Sequence, residues 1–225
     1  MEPWVALPES LQVGTDRKWN EFEAAAEAEN LSPPADPDAV LLKRVFAFSD
    51  FVAKNCIRHP KLLKDLLDSG DLDSAYEPDG YSVRLKTAME GVADEADLSV
   101  RLRWFRRREM TRIAIRDLAG KADLTEVTAD LSAFADACID GALARLHGWH
   151  CDRYGVPTGR SGQPLQLVVI GMGKLGAREL NFSSDVDLIF AYPETGETKE
   201  GSRSVTHEAF FLRLSRRLSQ VLGAN

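Results

Sequence analysis

A chain of 225 residues is long enough for one large domain or two modest ones, each with its own hydrophobic core. Apolar residues at 44% and charged residues at 28% are the proportions of a folded globular protein, and no apolar run approaches the roughly 18 residues that cross a bilayer, so disorder and membrane spanning are excluded as classes. A net charge of −7 argues against a general nucleic-acid binder, which needs a basic surface to displace phosphate counterions.

The N-terminus MEPWVALPES has neither the basic nor the apolar region of a signal peptide, so a cytosolic (cytoplasmic) protein is expected. Cys56, Cys138 and Cys151 are odd in number and lack CxxC pairing, and read as reduced thiols.

From Asp16 to Trp149 the pattern is helical. An Ala/Glu-rich helix near Arg17 to Asn30 stops at SPPADP, and Asp36-Pro37 opens a longer helix through Val40, Val45, Phe48, Phe51 and Val52. His59-Pro60 ends it and starts a short apolar helix that Ser69-Gly70 closes; DLDSAYEPDG then reads as a polar connector. Two more helices run to about Gly120, and the second carries seven arginines, Arg101, Arg103, Arg106, Arg107, Arg108, Arg112 and Arg116, within sixteen residues. Spread over more than one helical face, they fit a solvated or ion-paired helix better than a partner surface. Beyond Asp123, the residues Leu124, Val127, Leu131, Phe134, Cys138, Ala142, Leu146 and Trp149 recur every three or four, the stripe of an amphipathic helix. His147, His150 and Cys151 at its end have ligand-like spacing but no fourth donor, so no metal is assigned there, and His59 and His207 receive no functional role.

YGVPTGRSGQP is read as a linker between a helical region, residues 1–154, and a second region, 155–225, whose composition differs. Leu165 to Ile170 and Val186 to Tyr192 are apolar, β-branched runs of buried-strand length, and a final helix is expected from about Ser204 to Leu222.

Between the two runs lies Gly171-Met172-Gly173-Lys174-Leu175-Gly176, which matches the dinucleotide fingerprint GxGxxG. Only Ala177 to Ser184 separate the last glycine from the next strand, too few for the crossover helix that a parallel dinucleotide fold needs. A phosphate loop of the Walker type also fails, because Leu175 follows Lys174 where Ser or Thr holds magnesium.

What remains is a strand, a glycine turn, a short link and a strand opening on Asp185-Val186-Asp187. In an extended strand Asp185 and Asp187 share a face while Val186 turns to the core. Two carboxylates about 6 Å apart repel by roughly 3 kcal/mol at an effective dielectric near 20, a cost that a divalent cation removes. Mg2+ takes one or two carboxylates with phosphate oxygens and water, so Asp185 and Asp187 are the candidate metal ligands and catalytic residues for phosphoryl chemistry. Phosphate oxygens are expected against the turn formed by Gly171, Gly173 and Gly176, against Lys174, and against the hydroxyls of Ser183 and Ser184.

The stretch GMGKLGARELNFSSDVDLIFAY closely resembles the signature of the bifunctional glutamine synthetase adenylyltransferase/adenylyl-removing enzymes, in their N-terminal, adenylyl-removing half. RRREMTRIAIRDLAG and LSAFADACIDGAL resemble the helical region that precedes it there. The resemblance implies an α+β fold: a largely helical N-terminal region followed by a polymerase-beta-like nucleotidyltransferase domain. The superfamily pattern is Gly-Ser, ten to twelve residues, then Asp-x-Asp; here Gly173-Lys174 and ten further residues lead to Asp185, with Lys standing in place of Ser.

The implied reaction is phosphorolysis, in which inorganic phosphate attacks the AMP phosphorus of adenylyl-tyrosine on glutamine synthetase and releases ADP. The parent enzyme also adenylylates with ATP. Implied partners are adenylylated glutamine synthetase, the PII signal protein, nucleotide and inorganic phosphate, with no nucleic acid and no membrane. In that family a third acidic residue, on a strand beyond the helix matched by FFLRLSRRLSQVLG, completes the metal site. The chain is therefore expected to be a fragment of such an enzyme, with the nucleotidyltransferase domain incomplete at its C-terminus. The alternative is an inactive fragment that only binds glutamine synthetase or PII.

Overall fold

The computed structural model describes residues 9–199 and 203–223. Seven helices come first: α1 (Glu9–Ala28), α2 (Asp38–Phe48), α3 (Asp50–Arg58), α4 (Pro60–Asp68), α5 (Gly80–Ala88), α6 (Glu95–Leu118) and α7 (Leu124–Tyr154). They are followed by β1 (Val156–Pro157), β2 (Val168–Gly171), the single turn α8 (Gly173–Gly176), β3 (Leu188–Ala191), β4 (Thr198–Lys199) and α9 (His207–Gly223). Helix accounts for 63% of the described residues, and the strands there form only two antiparallel pairs, β1 with β4 and β2 with β3. The fold is thus α+β and largely helical, as expected. None of the described helices is long and apolar enough to cross a membrane.

The chain forms two compact units, one of Met1–Tyr76 with Arg106–Val127 and one of Glu77–Phe105 with Thr128–Asn225. In the first, Trp19, Phe22, Phe46, Leu62, Leu63 and Leu66 build a buried core from α1, α2 and α4. The single helix expected from Asp36-Pro37 through Val52 is two helices. Ser49 adopts extended backbone and its Oγ accepts the Val52 N–H at 3.2 Å, an N-cap that closes α2 and opens α3. Pro60 starts α4 at a position where a missing N–H costs nothing.

The arginine-rich helix resolves into buried fasteners. Arg108, Arg112 and Arg116 fall four residues apart on α6, hence on one face. Arg108 pairs with Asp65, Asp71 and Glu109, each at 2.6 Å. Arg112, fully buried, donates to the carbonyls of Asp71 at 2.8 Å and Ser74 at 2.7 Å and lies 3.5 Å over the Tyr76 ring. Arg116 reaches the Leu72 carbonyl at 2.9 Å and Glu126 at 2.6 Å. The connector after α4 supplies what these guanidinium groups bind: the carbonyls of Asp71, Leu72 and Ser74 and the carboxylate of Asp71. The structural reading of the cluster therefore holds for these three.

In the second unit the α7 stripe faces inward, with Leu131, Phe134, Cys138, Ala142 and Leu146 buried. Gly141 permits close approach of α5, since a Cβ there would lie 2.7 Å from Leu85 Cδ2. Phe210 of α9 packs edge-on to His147 and His150 at 5.7 and 5.8 Å, and Tyr192, just after β3, stacks on Phe211 at 5.2 Å. The expected linker is partly strand: Val156 and Pro157 pair with Lys199 and Thr198.

Candidate active site

β2 and β3 carry the chemistry-bearing segment, in antiparallel register Val168↔Ala191, Val169↔Phe190, Ile170↔Ile189 and Gly171↔Leu188. Antiparallel neighbours need no crossover helix, so the dinucleotide reading of GMGKLG is excluded by the pairing itself. One further backbone bond, Met172 N–H to Asp187 O at 2.9 Å, extends the ladder beyond both strands. It sets the start of the glycine turn directly beside Asp187.

The three glycines do different work. Gly173 has φ +56°, in the left-handed region, as the chain leaves β2 for α8. A Cβ on Gly176 would lie 2.5 Å from the Gly171 carbonyl oxygen, so that position tolerates no side chain without backbone movement. A Cβ on Gly171 would meet the Leu175 side chain at 2.9 Å. Leu175 and Leu180 are buried and anchor the turn and the link after it, whereas Lys174 is exposed.

The link is ordered by Asn181, which the sequence did not single out, acting on Ser183 and Ser184, which it did. Asn181 Oδ1 accepts from Ser184 Oγ at 2.6 Å and from Ser183 Oγ at 3.3 Å, and its carbonyl accepts the Ser184 N–H at 3.1 Å. The two serine hydroxyl protons are thus engaged with Asn181, in an Asx-type turn that the Asn-Phe-Ser-Ser composition signals. Leu180 N–H donates to Oγ of Ser132, a buried residue of α7, at 3.2 Å.

Asp185 and Asp187 are both exposed and lie before β3 rather than in it. Val186 is 38% exposed, where a core position was expected. The apolar run is longer than the strand: β3 begins only at Leu188, so Val186 precedes it and is not held against the covered face, while Val168, Ile170 and Ile189, at 49%, 45% and 49% exposed, mark the sheet's open face. By strand alternation Asp187 continues the face of Ile189 and Ala191.

Among the described residues neither Asp185 nor Asp187 forms an ion pair, and no group of three His, Cys, Asp or Glu residues stands together there as a metal site. Two exposed carboxylates beside a glycine turn that carries an exposed Lys174 form a donor set that fits Mg2+ with phosphate oxygens and water filling the remaining positions. His147, His150 and Cys151 do not form a centre. His147 Nε2 lies 3.3 Å from the Leu165 carbonyl, His150 Nδ1 lies 2.9 Å from the Leu146 carbonyl, and burial lowers both imidazoles below their ordinary range. The buried His207 ring sits between the Glu194 and Glu197 carbonyls at 2.9 and 3.1 Å, where it shapes the loop before α9.

Comparison with known proteins gives a consistent result. The family model described as glutamate-ammonia ligase adenylyltransferase matches residues 39–225. A bifunctional glutamine synthetase adenylyltransferase/adenylyl-removing enzyme of Nitrosococcus oceani is 50% identical over 218 residues, covering 96% of this chain and 22% of the relative. The proteins of the same description from Pseudomonas aeruginosa and Shewanella loihica are 49% and 41% identical, over 81% and 96% of this chain and 19% and 22% of their own lengths. The chain thus spans about a fifth of the length of the curated relatives it matches.

Proposed function

The chain belongs to the glutamate-ammonia ligase adenylyltransferase family, and from that premise we propose that it carries the metal-binding core of the deadenylylating activity directed at glutamine synthetase. In this reading 155–225 begins a polymerase-beta-like nucleotidyltransferase domain and 1–154 is the helical region that precedes it. The observation that carries the proposal is the placement of Asp187 beside the glycine turn by the Met172–Asp187 backbone bond, with Asp185 two residues away and both acids open to solvent.

Asp185 and Asp187 would hold Mg2+, which when bound would neutralise charge on the phosphoryl oxygens and favour in-line displacement. Lys174 and the N–H groups at the start of the turn receive phosphate oxygens. Ser183 and Ser184, tied to Asn181, fix the backbone that delivers the acids. An oxygen of inorganic phosphate bonds to the AMP phosphorus while the bond from that phosphorus to the tyrosyl oxygen breaks. The electron pair leaves with the phenolate, which takes a proton from water, and ADP departs. A leaving group with a pKa near 10 requires no protein general acid, so alignment and charge supply the catalysis. PII is the proposed regulatory partner, on the strength of the family resemblance.

Full-length protein carrying Asp185→Asn or Asp187→Asn is expected to lose phosphate-dependent release of ADP from adenylylated glutamine synthetase. Unchanged release contradicts the assignment. A second reading, a module that binds glutamine synthetase without turnover, is favoured by the lack of a three-acid cluster among the described residues. Binding of adenylylated glutamine synthetase with no ADP formed distinguishes it.

A further inference from the structure

We propose that Ser132, in the middle of α7, is a positioning residue for the Asp185/Asp187 pair: its hydroxyl sets where the segment from Leu180 to Asp187 sits. The inference rests on the metal-binding reading of the two aspartates.

Ser132 is 1% exposed. Its Oγ donates to the Thr128 carbonyl one turn earlier, at 2.8 Å, and accepts the buried Leu180 N–H at 3.2 Å. A serine hydroxyl has one proton and two lone pairs, so the bond to Thr128 fixes the proton and leaves a lone pair directed at Leu180. Leu180 is the last residue before the Asn181 turn. From there the order passes through Asn181 to Ser183 and Ser184, and Asp185 follows without a break. At its far end the segment is held by Met172 N–H on Asp187 O at 2.9 Å. Eight residues bearing both acids are therefore pinned at two points, and Ser132 supplies the side-chain acceptor at the first. A buried N–H deprived of its acceptor has to move toward another partner, and that displacement is passed to residues only a few positions from the acids.

Ser132→Ala removes the acceptor while replacing serine with a stronger helix former, so α7 itself is not weakened. Ser132→Thr keeps the hydroxyl. Mn2+ binding, followed by titration, and amide hydrogen exchange of residues 180–187 are measured on the full-length protein for both variants, with Asp185→Asn as the control. Loss of a group bonded directly to a metal ligand weakens metal binding by roughly 10–100-fold, and S132A, which acts through the segment from Leu180 to Asp185, is expected to weaken it by up to about 10-fold, with faster exchange at Leu180 and with S132T close to the wild type. Exchange through α7 is expected to stay as in the wild type, which separates positioning from general loosening. Unchanged exchange across 180–187 in S132A overturns the proposal whatever the metal does. Loss of Mn2+ binding in D185N but not in S132A overturns the proposal alone. Wild-type binding in D185N overturns the metal reading, and the proposal with it.

Discussion

Replacing Gly176 by alanine puts a methyl carbon 2.5 Å from the Gly171 carbonyl oxygen, about 0.9 Å inside the 3.4 Å at which ordinary contact begins. The obstructing atom is backbone, so no side-chain rotation relieves it. Gly171 stands in register with Leu188, and the next N–H, that of Met172, binds the Asp187 carbonyl. A shift of Gly171 that accommodates the methyl is therefore passed to the backbone of Asp187. Overpacking of this kind costs about 1–3 kcal/mol, and at roughly 2–4 °C per kcal/mol for a chain of this size the melting temperature falls by between about 2 and 12 °C. Gly173→Ala is the internal comparison: its added Cβ meets nothing within 4 Å, and the cost is only that of a left-handed φ, about 1–2 kcal/mol, without a collision. Differential scanning calorimetry and Mn2+ titration of both variants provide the assay. Gly176→Ala is expected to weaken Mn2+ binding more than Gly173→Ala does. A Gly176→Ala protein that melts with the wild type and binds Mn2+ equally well refutes the reasoning.

Two further outcomes follow from the helical part of the chain. Arg112→Ala leaves the Asp71 and Ser74 carbonyls without their buried donor and removes the stack on Tyr76, at a cost of about 3–5 kcal/mol in urea denaturation; a loss below about 1 kcal/mol contradicts the fastening role. Burial pushes the Cys56 thiol up from 9.0 to about 12. The folded state therefore holds the proton that the unfolded state releases, so this residue's contribution is intact below about pH 9 and declines by up to about 1.4 kcal/mol per pH unit as the pH rises toward 12. Denaturation of the wild type and Cys56→Ala across that window is expected to show a shallower decline in the variant, and equal slopes contradict the burial argument.

Long helices with one-sided apolar stripes were legible because their information is local. Leu131, Phe134, Cys138, Ala142 and Leu146 mark α7 in sequence and are buried in the structure. The break at Ser49 was hidden: Phe48 and Phe51 continue the apolar rhythm across it, yet they are 54% and 45% exposed, and only the cap on Val52 reveals the interruption. β1 escaped notice because Pro157, between Gly155 and Gly159, reads as a turn, and its partner β4 lies some forty residues later. The exposure of Val186 was equally out of reach, since the apolar run from Val186 to Tyr192 does not show that β3 begins only at Leu188. At the site itself, the glycine turn and the paired acids were visible as spacing. Ser132 was not, because a single serine beside an apolar stripe carries no mark of the backbone N–H it will meet, 48 residues later in sequence.

The central claim, that this segment belongs to a site where phosphate displaces tyrosine from AMP, is tested most directly by following the attacking atom. Full-length protein is incubated with Mg2+, adenylylated glutamine synthetase and 32P-labelled inorganic phosphate, and the nucleotide products are separated. Label in the β-phosphate of ADP, absent when Asp185 or Asp187 is asparagine, is the predicted result. Unlabelled AMP as the product, or labelled ADP formed equally well by the asparagine variants, would contradict it.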